Sequence, residues 1–234
     1  MIRFQKDTES PSAGSGSAPH LPAPALIRQA FRKANVLCLR IVGPPGSGKT
    51  ELIERTLKLL TAPQRVAVIV INPAPARDVD RLRNLCGHIT AIEDAVPKPQ
   101  SIWRIVAKLN LELFDIVLIE TAGGLAPLQD LGQDATVAVF AVSGGDDKAA
   151  EYHNLLTFVS AVLVTKIDLQ SQVKFDPKVF RNDDRLINAD AEVHELSAAS
   201  GARMENWIEW IERLSFTKHP CKDGSDSTSD SFLG

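Results

Sequence analysis

Gly43-Pro44-Pro45-Gly46-Ser47-Gly48-Lys49-Thr50 brings glycine, lysine and a hydroxyl together in a phosphate-cradling spacing: glycine, four residues, then glycine-lysine-threonine. The backbone N–H groups of such a loop, and of a helix starting at its end, offer partial positive charge to an anion. Lys49 is expected to reach the β- and γ-phosphates of a nucleotide, with the Thr50 hydroxyl on Mg²⁺ and Glu51 beside them. A Cβ at Gly46 or Gly48 is expected to obstruct the ligand's approach to the backbone.

Two further stretches suit a nucleobase. In Thr165-Lys166-Ile167-Asp168, the Asp168 carboxylate can accept from both donors on the guanine edge, whereas adenine would leave it unpaired, and Lys166 can lay its stem along the base. Ser197-Ala198-Ala199-Ser200-Gly201 can offer a backbone N–H to the guanine oxygen. A phosphotransferase using the same loop would leave both stretches without a purpose. Glu120-Thr121-Ala122-Gly123-Gly124 supplies an acid and a glycine hinge: Glu120 either holds Mg²⁺ through water or orients the attacking water, and Gly123 can donate its N–H to the γ-phosphate.

These groups need a scaffold that gathers them, and the pattern supplies one. Short runs of Val, Ile and Leu alternate with longer amphipathic stretches, which predicts an α/β fold: a P-loop NTPase with a mostly parallel, doubly wound sheet of about seven strands and helices on both faces. Strands are expected at Val36–Val42, Arg65–Ile71, Ile89–Ile92, Asp115–Ile119, Thr136–Val142, Ala161–Thr165 and Val193–Leu196. Helices are expected at Lys49–Leu60, Arg77–Cys86, Gln100–Leu109, Lys148–Phe158, Pro177–Phe180 and Met204–Leu214. Ligands on such sheets bind at the carboxyl ends of the strands, where the chemistry-bearing residues fall.

The 234 residues, 44% of them hydrophobic, suffice for one well-cored domain. Residues 1–25, rich in Ser, Pro, Ala and Gly, read as a flexible tail, 26–216 as the domain, and 217–234 as a second tail. A net charge of −3 argues against nucleic acid as a partner. The three cysteines, Cys38, Cys86 and Cys221, are too dispersed for a disulfide framework or a metal clip. Without an apolar leader or membrane-length segment, the expected location is the cytoplasm, off the membrane.

In this order, the P-loop, Glu-x-x-Gly, Thr-Lys-Ile-Asp and Ser-Ala stretches resemble the nickel-insertion GTPases HypB and UreG, most nearly HypB. Asp130-Leu131-Gly132-Gln133-Asp134 and Ser143-Gly144-Gly145-Asp146-Asp147-Lys148 add to the likeness. The resemblance implies a GTPase that takes GTP or GDP with Mg²⁺ and dimerises with nucleotide. Its partners would be a nickel chaperone of the HypA type and an apo-metalloenzyme, such as hydrogenase awaiting its nickel centre. It also places Lys148 near the dimer interface; a solvated helix start explains that lysine equally well.

The chain departs from the family at its metal ligands. Where HypB proteins carry a Cys-His pair and a further Cys, the sequence reads Val96-Pro97-Lys98-Pro99-Gln100 and Leu125-Ala126-Pro127-Leu128. Cys86 and His88 read as a structural thiol and a surface imidazole, so no tight transition-metal site is expected. Asn72 stands where the family has an aspartate, leaving Thr50, Glu120 and possible help from Asp78 as Mg²⁺ ligands and predicting slow hydrolysis.

Overall fold

Strands that are apolar on both sides must be covered on both sides, and that requirement organises the whole chain. The computed structural model describes residues 21–72, 77–93, 98–122 and 128–218, except for the side chains of Arg77, Asp78 and Ala122. Seven strands form one sheet: β1 (Leu37–Gly43), β2 (Val66–Ile71), β3 (His88–Ile92), β4 (Ile116–Ala122), β5 (Ala135–Ala141), β6 (Ala161–Thr165) and β7 (Glu192–Glu195). Their order is β3-β2-β4-β1-β5-β6-β7, and every pairing is parallel. β1 therefore lies mid-sheet, and the loop leaving it emerges at the sheet's carboxyl edge.

Among the described residues eight helices cover the two faces: α1 (Ala23–Ala34), α2 (Lys49–Leu59), α3 (Arg77–Arg83), α4 (Pro99–Val106), α5 (Lys148–Glu151), α6 (His153–Leu156), α7 (Pro177–Ile187) and α8 (Met204–Lys218). Leu39, Ile41, Val68 and Val137 pack on one face with Leu52 and Ile53 of α2, Leu82 of α3 and Trp207 of α8. On the other face, Cys38, Ile69 and Val117 meet Ile27 and Phe31 of α1 and Ile102 of α4. Beside them, Phe140 and Val162 meet Leu155 of α6 and Phe180 of α7.

Several elements depart from the sequence expectation. The stretch before β1 is a helix beginning at Ala23, inside the segment assigned to the tail; Pro24 suits its first turn, and Ile27 and Phe31, one turn apart, bury themselves against the sheet. The helix expected over Lys148–Phe158 divides at Tyr152, whose ring packs edge-on against Phe140 at 5.6 Å. The helix expected to end at Phe180 runs to Ile187, with the Asp176 carboxylate accepting from the Lys178 N–H at its start. Its inward position one turn after Phe180 is Asp184, so the apolar period breaks while the helix continues. At the other end, α8 runs to Lys218, four residues beyond the helix end expected at Leu214 and two beyond the domain limit expected at residue 216. The remaining parts of both assigned tails lie outside the described residues.

Candidate nucleotide site

The loop Gly43–Thr50 leaves mid-sheet β1 and runs into α2, whose first turn has Gly48 as its cap and no side chain closing its N–H groups. That turn is a ready anion site. Gly46 and Gly48 both have left-handed backbones, φ +76° and +89°, so conformation alone requires glycine there. Among the described residues, its two chain neighbours aside, nothing lies within 4 Å of a Cβ at Gly46, whereas at Gly43 a Cβ would stand 2.2 Å from the Val139 carbonyl oxygen. Close approach of β1 and β5 is what demands that first glycine. Lys49 curls over the loop, its Nζ donating to the carbonyls of Gly43 and Pro44 at 3.0 Å each.

From β4, the neighbour of β1, Glu120 reaches the same place. Its Oε1 accepts from the Thr50 hydroxyl at 2.7 Å. The pair brings a hydroxyl and a carboxylate together at the loop's end, a hard-oxygen donor set of the kind Mg²⁺ takes. Gly123 lies outside the described residues, and so does the Asp78 side chain.

β6 and β7 complete the edge. Thr165 donates to the Ser47 carbonyl at 2.6 Å, bracing the loop from the side. Lys166, in a left-handed conformation at φ 59°, extends its Nζ to the Gly46 carbonyl at 2.8 Å, and its stem lies 3.6 Å from a Cβ built on Gly48. Glu51 lies on the same side, its Oε2 3.9 Å from that Cβ. Asp168 is exposed and has no hydrogen-bonding partner among the described residues. The Ile167 N–H reaches the Leu196 carbonyl at 3.4 Å, joining this turn to the Ser197–Gly201 loop. There Ser197 is buried and accepts the Ser200 N–H, holding Ala198 and Ala199 at the edge. Pro44, Pro45, Phe140, Lys148 and Tyr152 line a cleft of about 430 Å³ on the β5 side of the loop.

A family model, the nucleotide-binding domain of CobW/HypB/UreG, matches residues 37–195. The chain belongs to this family. It is 31% identical over 198 residues to the hydrogenase maturation factor HypB of Azotobacter vinelandii, covering 82% of this chain and 65% of that protein. It is 33% identical over 192 residues to HypB of Escherichia coli (strain K12), covering 79% of this chain and 66% of that protein. The chain thus spans about two thirds of the length of these relatives. Among solved structures, HypB of Archaeoglobus fulgidus superposes with a TM-score of 0.76 at 26% identity, covering 82% of this chain and 97% of that one. HypB of Helicobacter pylori in complex with nickel shares the fold, with a TM-score of 0.75 at 23% identity over 83% of this chain and 94% of that one. The domain is therefore a P-loop NTPase domain on a seven-stranded parallel sheet.

Cys86 and His88 do not converge on a common point. The Cys86 thiol donates to the Leu82 and His88 carbonyls at 3.4 and 3.3 Å, and the His88 ring engages the Thr90 hydroxyl at 2.7 Å. Burial pushes the Cys86 thiol up from its ordinary range, away from the thiolate a metal would take. Of the segments expected to depart from the family's metal ligands, Lys98 precedes α4 and is exposed, Pro99 is buried, Gln100 is exposed and Leu128 is half-buried; Val96, Pro97 and Leu125–Pro127 lie outside the described residues.

Sequence reasoning passed over one participant. Arg40 is buried within β1, with its Nε donating to Thr121 Oγ1 at 3.2 Å and its Nη1 to the Gln129 carbonyl at 2.7 Å. A lone charge inside the apolar run Val36–Val42 was the available signal.

Proposed function

We propose that the protein binds guanine nucleotides and slowly hydrolyses GTP with Mg²⁺, as an accessory factor in maturing a metalloenzyme; the relatives' names give hydrogenase as the case, and the family resemblance implies its nickel centre. The observation that carries the nucleotide reading is the 2.7 Å bond between Thr50 and Glu120, which sets a hydroxyl and a carboxylate, donor types that suit Mg²⁺, beside the loop Gly43–Thr50.

In this reading Lys49 leaves the loop carbonyls for the β- and γ-phosphates, and the N–H groups from Gly46 to Glu51 neutralise charge that builds on them. Mg²⁺, when bound, supplies charge neutralisation; Thr50 and Glu120 would hold it, with Asp78 as a candidate third. Glu120 has a second role open to it, orienting the attacking water, while the Gly123 N–H is a candidate donor to the γ-phosphate. Asp168 accepts from the guanine edge, Lys166 lies along the base, Thr165 braces the loop, and backbone at Ser197–Ala199 meets the guanine oxygen.

Family membership supports a nucleotide-dependent homodimer, a nickel chaperone of the HypA type and an apo-metalloenzyme as partners, and a cytoplasmic setting. None of the described helices is long and apolar enough to cross a membrane. Asn72, and the segments Val96–Gln100 and Leu125–Leu128 where the family resemblance implies metal ligands, favour a second reading, a nucleotide-gated scaffold without metal binding or efficient turnover.

Phosphate release from GTP, in the full chain and in Lys49→Ala, separates the two. Lys49→Ala should stay folded, weaken triphosphate binding by about 1.5–3 kcal/mol and abolish turnover. A variant that hydrolyses GTP at the parental rate would assign the activity elsewhere, and a parent without turnover would favour the scaffold.

A further inference from the structure

Arg40 is the unexpected charge in the sheet. It is 2% exposed, on the central strand β1, whose other residues are all buried and apolar. Burial pushes its guanidinium down to about 10 against the favourable field of Asp130, which leaves it charged at neutral pH. An apolar side chain would fill this position without the cost of desolvating a cation. What Arg40 adds is direction: a rigid fork making two bonds at once.

Those bonds fall on two separate stretches of chain. Nε takes the Thr121 hydroxyl at the end of β4, and Nη1 takes the Gln129 carbonyl on the stretch leading to β5. That second stretch is itself anchored on α1. Asp130 pairs with Arg28 at 2.6 Å, Leu131 is fully buried beside Ile27 and Phe31, and a Cβ at Gly132 would stand 2.7 Å from the Ile27 Cβ. Thr121 is the residue next to Glu120, whose carboxylate accepts from Thr50. The guanidinium therefore joins a fixed point on α1's side of the sheet to the strand end that carries the acid of the nucleotide site.

We propose that Arg40 is a positioning residue for the Mg²⁺–nucleotide site: by tying Thr121 to Gln129 it fixes the end of β4 and holds the Glu120 carboxylate against the Thr50 hydroxyl. The inference rests on the reading of Thr50 and Glu120 as the cation-holding pair. It gives the buried charge a role in the site that apolar packing cannot fill.

The test is GDP binding by the full chain, titrated with Mg²⁺ from zero in the presence of a chelator, for the parent, Arg40→Met and Thr121→Val. The parent should bind GDP more tightly as Mg²⁺ rises, with a defined midpoint. Arg40→Met should raise that midpoint roughly 10-fold or more, the usual cost of losing a group that orients a metal ligand, while GDP affinity in chelator stays within about threefold. Thr121→Val, which keeps the Gln129 bond, should shift the midpoint the same way by less.

An Arg40→Met protein that melts earlier yet keeps the parental midpoint would reduce Arg40 to a packing role and overturn the proposal. If Arg40→Met does not fold, Thr121→Val decides alone, and an unmoved midpoint overturns it. A parent whose GDP affinity ignores Mg²⁺ overturns the cation-site reading first, and this proposal with it.

Discussion

Thr165 donates its hydroxyl to the Ser47 carbonyl at 2.6 Å, tying the end of β6 to the phosphate loop across 118 residues of sequence. The same oxygen lies 3.2 Å from the Phe140 carbonyl, so one hydroxyl links β5, β6 and the loop. Thr165→Val keeps the shape and removes the donor, leaving the Ser47 carbonyl short of a partner. Stability should fall by about 1–3 kcal/mol in urea unfolding, with nucleotide affinity falling too. Unchanged values for both would show that the bond does not hold the loop.

Asp184 makes stability depend on pH. It is fully buried in α7, with neither carboxylate oxygen hydrogen-bonded among the described residues, and burial raises its pKa from 3.8 to about 6. The fold favours the neutral acid. Its contribution is therefore fully present below 3.8, is lost as pH rises through about 6, and leaves a charged buried group above that. Asp184→Asn, which cannot ionise, should be more stable than the parent near pH 8, by up to about 3 kcal/mol for a shift of this size. The gain should vanish near pH 4. Denaturant melts that show a pH-independent difference would mean that Asp184 does not carry the dependence.

The sheet was legible because a parallel strand covered on both faces must be a short unbroken apolar run, and such runs stand out between amphipathic stretches. The loop Gly43–Thr50 was legible for a different reason: its backbone and chemistry dictate residue types at fixed spacing. Arg40 and Asp184 were not legible, and both are buried charges. One sits in a strand and one on the core face of a helix, so each breaks the very pattern by which core positions are recognised. α1 was masked by composition, since the Ala-Pro-Ala at its start continues the character of the segment before it. The roles of Gly46 and Gly48 were only partly read: the left-handed backbone at both is independent of any ligand.

Nickel is the point on which this chain should differ from its HypB relatives. Among the described residues no three His, Cys, Asp or Glu side chains cluster to hold a metal ion, and Cys86 and His88 are each engaged with their own surroundings. Tight divalent sites need several convergent ligands. Equilibrium dialysis of tag-free protein with GTP should find Ni²⁺ and Zn²⁺ binding no tighter than scattered histidines allow. Stoichiometric Ni²⁺ binding with a sub-micromolar dissociation constant would reveal a ligand set outside those considered.

The central claim is that the nucleotide is a guanine nucleotide, and calorimetric titration of the full chain with GDP and with ADP tests it most directly. Asp168 is exposed just after β6, with no side-chain partner among the described residues, and in the proposed function its carboxylate accepts from two guanine donors that adenine does not offer. A site built to pair with such donors discriminates by leaving its own polar groups unpaired with the wrong ligand. GDP should bind well over roughly tenfold more tightly than ADP, and Asp168→Asn should erase most of that preference while leaving diphosphate binding in place. Equal affinities for GDP and ADP in the parent chain would contradict the assigned base site and the function built on it.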